Sequence, residues 1–291
     1  MRYAFIARNR PIWKVSRMCR MLDVSRSGFH EWHRRKPCAR AIENERLTTR
    51  IRTFHALSGR CYGSPRICRD LQEAGERVSE NRVARLMHRA GIEALRRKPH
   101  RPIDEGVRPE CAIAANVLDR DFEAPAPNQK WVADFTYVDT AEGWLFLAVV
   151  LDLFSRRVVG WSMSANMTAQ LVMDALTMAL WRRGRPQELL HHSDQGSQYA
   201  AEDFQRLLSH HGIECSMSRK GDCWDNAAME SFFASLKKER IYPHGRYRSR
   251  DEARADIFQY MEGFYNPKRR HSTLGQISPV EFERQFSTQC T

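Results

Sequence analysis

The stretch WVADFTYV, Trp131 to Val138, is apolar on both faces of an extended chain. Side chains alternate along a strand, so Trp131, Ala133, Phe135 and Tyr137 point one way and Val132, Asp134, Thr136 and Val138 the other. A strand clothed on both sides belongs in the middle of a sheet. Asp134 is then an ionisable group at an expensive position. A buried carboxylate without a partner is too costly to keep, so Asp134 is expected to face a cation, either a side chain or a metal.

Downstream, Trp144 to Phe154 reads as a second strand and Val158 to Met163 as a third, joined closely enough for an antiparallel meander. A helix is predicted from Thr168 to Arg183, then a short strand at Leu189–His191 and a helix near Ala201–His211. A brief strand at Glu214–Met217 and a longer helix over 225–240 complete the pattern. Three hairpin strands followed by alternating helices and strands imply an α/β fold, a mixed sheet with helices on both faces.

Upstream the pattern is helical. Ile12, Val15, Met18, Cys19 and Leu22 recur at helical spacing, and Ser25 caps a second short helix carrying Phe29 and Trp32. With Arg17, Arg20, Arg26, Arg34, Arg35 and Lys36 around them, residues 1–40 suggest a helix-turn-helix or an ordinary helical hairpin. Residues 41–97 form a second helical unit. Ile42, Leu47, Ile51, Phe54 and Leu57 share one face of its first helix, Ser64 and Pro65 open the next, and Ser79 opens a third that Gly91 ends. On that third helix Arg82, Arg85 and Arg89 face outward, suited to phosphates or to a plain solvated surface. Residues 98–128 are proline-rich and read as a linker, residues 129–242 as the α/β core and residues 243–291 as a basic helical extension.

The charge is as uneven as the pattern. The 291 residues carry 47 Lys and Arg against 35 Asp and Glu, a net +12, yet residues 1–110 hold 26 basic and 12 acidic residues. A basic front half joined to a near-neutral back half is the footprint of a nucleic-acid-binding module. Near the C-terminus Arg246, Arg248, Arg250, Lys268, Arg269 and Arg270 are locally basic and are expected to track phosphates. The longest apolar run, Trp144 to Leu151, is too short to span a membrane, and MRYAFIARNR lacks the apolar length of a secretory signal, so the chain is expected in the cytoplasm. The eight cysteines include no C-x-x-C pair. The spacing of His55, Cys61 and Cys68 fits no common finger, so no structural zinc is expected. The neighbours His191–His192 and His210–His211 point apart and are weak as ligands.

Two more carboxylates stand out. Asp194, in HHSDQGSQY, follows a short apolar strand at the place where α/β folds put reacting groups, although a turn or cap role is equally open. Glu230, in DNAAMESFFASLKKE, shares a helix stripe with Asn226 and Lys237, within about 40° at 100° per residue, and Asn226 and Lys237 are expected to contact DNA there. Met229, Phe232, Phe233 and Leu236 form the neighbouring stripe that docks the helix. Oxygen ligands from two strands and a helix favour magnesium or manganese, and two such ions would serve a phosphoryl displacement on a nucleic-acid backbone. Asp152 competes for a ligand position, with Arg156 and Arg157 as ordinary partners. Asp222 and Asp225 read as turn and N-cap residues, while Trp224 and Tyr199 are either base-stacking or core.

These residues carry a resemblance. The chain resembles the catalytic protein of the insertion-sequence-three family of bacterial transposases, a branch of the retroviral-integrase-like DDE recombinases. Asp194 and Glu230 enclose 35 residues, the spacing that names the group, and Lys237 matches its basic residue. PNQKWVADFTYV, LDLFSRRVVGW, HSDQGSQY, KGDCWDNAAMESFFASLKKE and YNPKRRHSTLGQISPVEF are similar to family segments, and GRCYGSPRI with VSENRVARLM to its helix-turn-helix region. The resemblance spans about 40 to 286 and implies a ribonuclease-H-like fold. It implies Asp134, Asp194 and Glu230 as the catalytic, metal-binding triad for magnesium, with Lys237 holding the DNA end. The implied reaction cuts at an element's end and joins the freed 3′-OH to another phosphodiester. The implied partners are double-stranded DNA at element ends and target, an upstream-frame transposase product, separate or fused, and further copies of this chain on DNA. A nuclease that cuts without joining and a DNA-binding regulator with a silent catalytic domain are the alternatives.

Overall fold

The computed structural model of the chain describes residues 1–95, 114–219 and 223–289. Most of the predicted linker at 98–128, and Asp222 with its expected turn role, lie outside the described residues.

Three short helices, α1 (Arg2–Asn9), α2 (Val15–Met21) and α3 (Arg26–Arg34), close over a small core of Ile6, Met18, Cys19 and Phe29. The break at Asp23 is a left-handed residue with φ +50°, and Ser25 caps α3 by accepting the Gly28 amide at 3.2 Å. The helix at Arg2–Asn9 was not legible, because Ile6 is its single buried residue and leaves no periodic stripe. Ile12, which shares the helical spacing of Val15, Met18, Cys19 and Leu22, lies outside the helices and is 71% exposed between α1 and α2.

Next come α4 (Ala39–Leu57), α5 (Ser64–Glu73) and α6 (Glu80–Arg89), packed through Leu47, Ile51, Ile67, Leu71, Val83 and Met87. Ile42 and Leu57 at the two ends of α4 stay exposed, so the buried face is narrower than the sequence suggested. Gly63 takes the N-cap position of α5, one residue before the predicted Ser64, and Pro65 sits in the first turn, where its missing N–H costs nothing.

The sheet has five strands, β1 (Lys130–Thr140), β2 (Gly143–Asp152), β3 (Val158–Ser164), β4 (Leu190–Ser193) and β5 (Glu214–Met217), in the order β3-β2-β1-β4-β5. β1 is central, antiparallel to β2 and parallel to β4, with Asp134 opposite Val149 and Trp131 opposite His191. Both its faces are covered, as its two-sided apolar sequence requires. On one side Trp131, Ala133 and Val150 pack against α7 (Ala169–Arg183) and α8 (Glu202–His210). α7 lies so close to β3 that a Cβ on Gly160 would stand 2.2 Å from the Ala175 carbonyl oxygen.

The other side is covered by α9 (Ala227–Leu236), through Met229, Phe232, Phe233 and Leu236 against Val132, Leu147 and Val149. The single predicted helix over 225–240 is three pieces. A 3-10 turn at Cys223–Asn226 leads into α9, and a π-helical turn at Lys237–Ile241 leads to the short α10 (Tyr242–His244). Of the rest of the chain, α11 (Arg250–Phe258) and a second π-helical turn at Gln259–Tyr265 pack on the same core through Ala253, Ile257, Tyr260 and Met261, while α12 (Pro279–Gln289) is held by Phe282 and Phe286 against Phe154 and by Glu283 to Arg157 and Arg183. The Asn266 side chain pairs with both the N–H and the C=O of Val158, each at 2.9 Å, and so ties this extension to the edge strand. No helix among the described residues is long and apolar enough to cross a membrane.

Candidate active site and nucleic-acid interface

Asp134 sits part-buried in the central strand, its Oδ1 accepting the Phe135 amide at 2.7 Å. Burial pushes its carboxyl well above the usual range. The charges of Asp194 and Glu230 push it further, against the Phe135 hydrogen bond and the Lys237 ammonium. The fold therefore brings Asp134, Asp194, Glu230 and Lys237 from two strands and a helix into one electrostatic neighbourhood. Among the described residues no three His, Cys, Asp or Glu side chains converge into a ready-made ion cage.

Asp194 follows β4, and its Oδ1 accepts the Gly196 amide at 3.0 Å. A Cβ on Gly196 would stand 2.9 Å from that same oxygen and 3.2 Å from Gln198 Oε1, so glycine is what lets the loop close on the carboxylate. The one sign of this role in the sequence is that Gly196 stands two residues after Asp194. His191 and His192, just before it, are both fully buried. Burial holds them down to about 3 and about 4, so both are neutral core groups at ordinary pH. Tyr199 is core: it is 1% exposed, its ring lies edge-on to Phe204 at 5.4 Å, and its hydroxyl has no partner among the described residues.

Glu230 is exposed on α9, with its carboxyl raised by partial burial. Lys237 opens the π-helical turn, where burial lowers its ammonium and Asp134 opposes that. Its Nζ lies 5.6 Å from the centre of the Tyr137 ring, which meets Trp144 edge-on at 5.0 Å. Both rings are about half exposed, 56% and 50%, an aromatic platform beside the site that the sequence reading took for ordinary strand residues. Asn226 departs from its expected DNA-facing role. It is 6% exposed, and its Nδ2 donates to the Ala133 carbonyl at 3.3 Å, because the 3-10 turn swings it under the sheet.

The two doubtful carboxylates are structural. Asp152 is fully buried and accepts the amides of Asn128, Phe154 and Ser155 and the Trp131 indole N–H; its nearest cation is Arg183 at 3.7 Å, not Arg156 or Arg157. Asp225 is no N-cap. It is fully buried and accepts from Arg219, Arg120 and Asn116, which hold the described end of the linker against the approach to α9.

The basic residues divide. Arg82, Arg85 and Arg89 line, with Arg40, a groove of about 420 Å³ between α4 and α6, where Arg82 donates to Asn44 Oδ1 at 2.8 Å. Lys268 is exposed, but Arg269 and Arg270 are not. Arg269 forks onto Glu239, and Arg270 reaches back to Asp70 and Glu73 on α5, so both are structural cations. Tyr62 completes that joint, its hydroxyl donating to the Lys268 carbonyl at 3.3 Å and accepting the Arg270 amide at 2.9 Å. Arg246 pairs with Asp139, and Arg250 binds the β1–β2 hairpin through Glu142 and the Trp144 carbonyl.

A central β1 with its carboxylate, a second acid after β4 and a third on α9 define an integrase-type core of ribonuclease-H-like fold. The family model described as Integrase core domain matches residues 124–223, a second of the same description matches 211–279, and one described as HTH-like domain matches 43–100. "Transposase InsF for insertion sequence IS3A" of Escherichia coli (strain K12) is 43% identical over 286 residues, 97% of this chain and 98% of that protein. "Insertion element IS600 uncharacterized 31 kDa protein" of Shigella sonnei is 42% identical over 269 residues, 92% and 98% of the two chains. The chain belongs to this family of IS3-type insertion-sequence transposases. A chain of the simian T-cell lymphotropic virus intasome, solved with PP2A regulatory subunit B56 gamma, overlays with a TM-score of 0.46 at 16% identity, covering 80% of this chain and 74% of that one.

Proposed function

We propose that this transposase cuts DNA at the ends of its element and joins the freed 3′-OH to another phosphodiester, at a site made by Asp134, Asp194 and Glu230. The observation that carries the reading is the state of Asp134, a part-buried carboxylate facing two further acids with Lys237 as the cation acting on it. That excess of negative charge, offered by hard oxygen donors alone, fits magnesium, or manganese in its place. Asp134, Asp194 and Glu230 would hold a pair of such ions, which supply Lewis-acid stabilisation to the attacking and leaving oxygens.

The chain's own residues do the rest. Lys237, part-desolvated against Tyr137, holds a phosphate of the DNA end. The exposed Tyr137–Trp144 pair offers ring faces to a frayed terminal base. Gly196 fixes the Asp194 carboxylate through its amide. Arg82, Arg85 and Arg89, in the groove of the HTH-like unit, bind DNA phosphates and so place the duplex without reading its sequence. Cleavage and joining are both in-line displacements at phosphorus that differ in nucleophile, water first and the 3′-OH second, so one site serves both. Two ends must be held together for joining, which implies several copies of the chain on DNA, working with an upstream-frame product either separate or fused.

The test is excision in cells from a plasmid carrying the element's own ends, comparing wild type with Glu230→Gln, each with and without the upstream reading frame. Junction products that vanish in the variant support the reading. Cut ends without junctions point to a nuclease, and DNA binding with no products at all to a regulator.

A further inference from the structure

A second basic site lies on the other side of α9, away from the carboxylates. A cavity of about 370 Å³ opens between α9, the β2–β3 turn, the start of α5 and the 269–273 loop. Arg66, Arg156 and Arg269 line it, with the hydroxyls of Ser231 and Thr273 and with Ser235, whose own hydroxyl donates to the Ser231 carbonyl and accepts from Arg269, and among the described residues no acidic residue is in its wall. Arg269 is committed to Glu239, and Glu239 in turn accepts the Tyr260 hydroxyl at 2.9 Å, so the nearby acid is spent. Asp152, behind Arg156, is filled by its four N–H donors.

Arg66 and Arg156 are different. Among the described residues neither has a carboxylate at salt-bridge distance; Arg66 rests 5.2 Å over the Tyr62 ring, and Arg156 sits at a left-handed φ of +59° in the turn. Both guanidinium groups are partly buried, and burial lowers each of them. Two desolvated cations at a hydroxyl-lined cavity are an arrangement for an anion, since arginine forks match phosphate oxygens and the hydroxyls of Ser231 and Thr273 supply further donors.

We infer that this cavity is a phosphate-binding site that takes one backbone phosphodiester of the DNA strand being processed. The inference rests on the reading of the chain as a transposase acting on DNA. The cavity holds a single phosphate with its esters and has no room for a duplex. Ser231 and Ser235 stand about 100° and 140° round α9 from Glu230, so a strand engaged at the carboxylates continues over this side of the same helix. The phosphate gripped here fixes the strand's path at a point displaced from the reacting one, and the HTH-like unit contributes to the grip through Arg66.

The test compares the full chain with Arg66→Gln/Arg156→Gln in two measurements. Binding to a labelled duplex of arbitrary sequence, followed by fluorescence anisotropy across a salt series, is expected to lose about 0.9 from its log–log salt slope in the variant, one phosphate's share. Melting temperature is expected to be equal or higher in the variant, because two unpaired desolvated charges are gone, and millimolar inorganic phosphate is expected to raise it in wild type alone. An unchanged salt slope overturns the inference. If phosphate stabilises wild type alone while the DNA slope stays unchanged, the occupant is a free anion and the assignment to DNA fails. If the double variant does not fold, Arg156→Gln alone reads the same slope, and failure of that variant too shows that the arginines hold the fold rather than a ligand. Wild type that binds no DNA would sink the transposase reading, while the phosphate melting arm would still report on the cavity.

Discussion

Arg269 and Glu239 form a bidentate ion pair, Nε to Oε2 at 2.8 Å and Nη2 to Oε1 at 2.6 Å, with both side chains only 7% exposed. The pair joins the π-helical turn after α9 to the loop that begins the last part of the chain. Removing one partner leaves the other as an uncompensated buried charge. Arg269→Ala is therefore expected to destabilise the protein by about 3–5 kcal/mol, measured by urea unfolding. Replacing both residues with methionine is expected to recover most of that loss, since the desolvation of the pair offsets much of its attraction. Equal losses in the single and double variants would sink this account.

The same pair explains why the basic run Lys268-Arg269-Arg270 misleads as a sequence. A charge run reads as a surface when its partners are out of view. The partners of Arg270, Asp70 and Glu73, lie 200 and 197 positions away, and only the fold brings them together. The strand reading of WVADFTYV succeeded for the opposite reason. Its evidence, apolar residues on both faces with one acid among them, is contained in a few adjacent residues. The spacing of Asp194 and Glu230 is legible too, but the 3-10 turn that buries Asn226 is not, because its residues fit the helical period of α9 equally well.

The crowding of charge at Asp134 has a sign that can be measured. Its folded carboxyl is raised, first by burial and then by Asp194, so the folded state holds that proton more tightly than the unfolded chain. Stability from this group is present at pH below the ordinary carboxylate range and is lost as pH rises through the raised value. At pH 7.5 without metal, Asp134→Asn is expected to raise the melting temperature by a few degrees, the scale of about 1–2 kcal/mol in a chain of this size. Magnesium is expected to raise the melting temperature of wild type and to do less for the variant. Calorimetry with and without chelator checks both, and a variant that melts lower than wild type in chelator would refute the crowding.

Gly196 separates geometry from stability. Gly196→Ala places a methyl group 2.9 Å from Asp194 Oδ1, so either the carboxylate or the loop must move. Under the proposed role of Asp194 in holding metal, displacing its carboxylate costs the reaction more than it costs the fold. Strand cleavage is expected to fall at least about tenfold, in the range of changes to groups that orient metal ligands. Unfolding free energy should change by about 1 kcal/mol, an ordinary single-site effect. Full cleavage by the variant would show that Asp194 does not depend on this contact.

His271 makes the fold sensitive to acid in the opposite sense to Asp134. It is 9% exposed, and burial, helped by the cations Arg269, Arg66 and Arg156, holds it down to about 2. Its ring accepts from Arg269 Nη1 at 3.5 Å, a contact that a protonated ring could not make. The unfolded chain binds the proton near pH 6.5, so this group's contribution is whole above that value and shrinks steadily as pH falls toward the folded one. Between pH 7 and pH 5 the loss is about 2 kcal/mol from His271 alone. His271→Gln, which keeps an acceptor but cannot take the proton, is expected to flatten the stability-against-pH curve over that interval by a comparable amount. His191 and His192, held at about 3 and about 4, leave a residual slope of the same sign. A variant with the full wild-type slope would mean that His271 is already free to protonate in the folded protein.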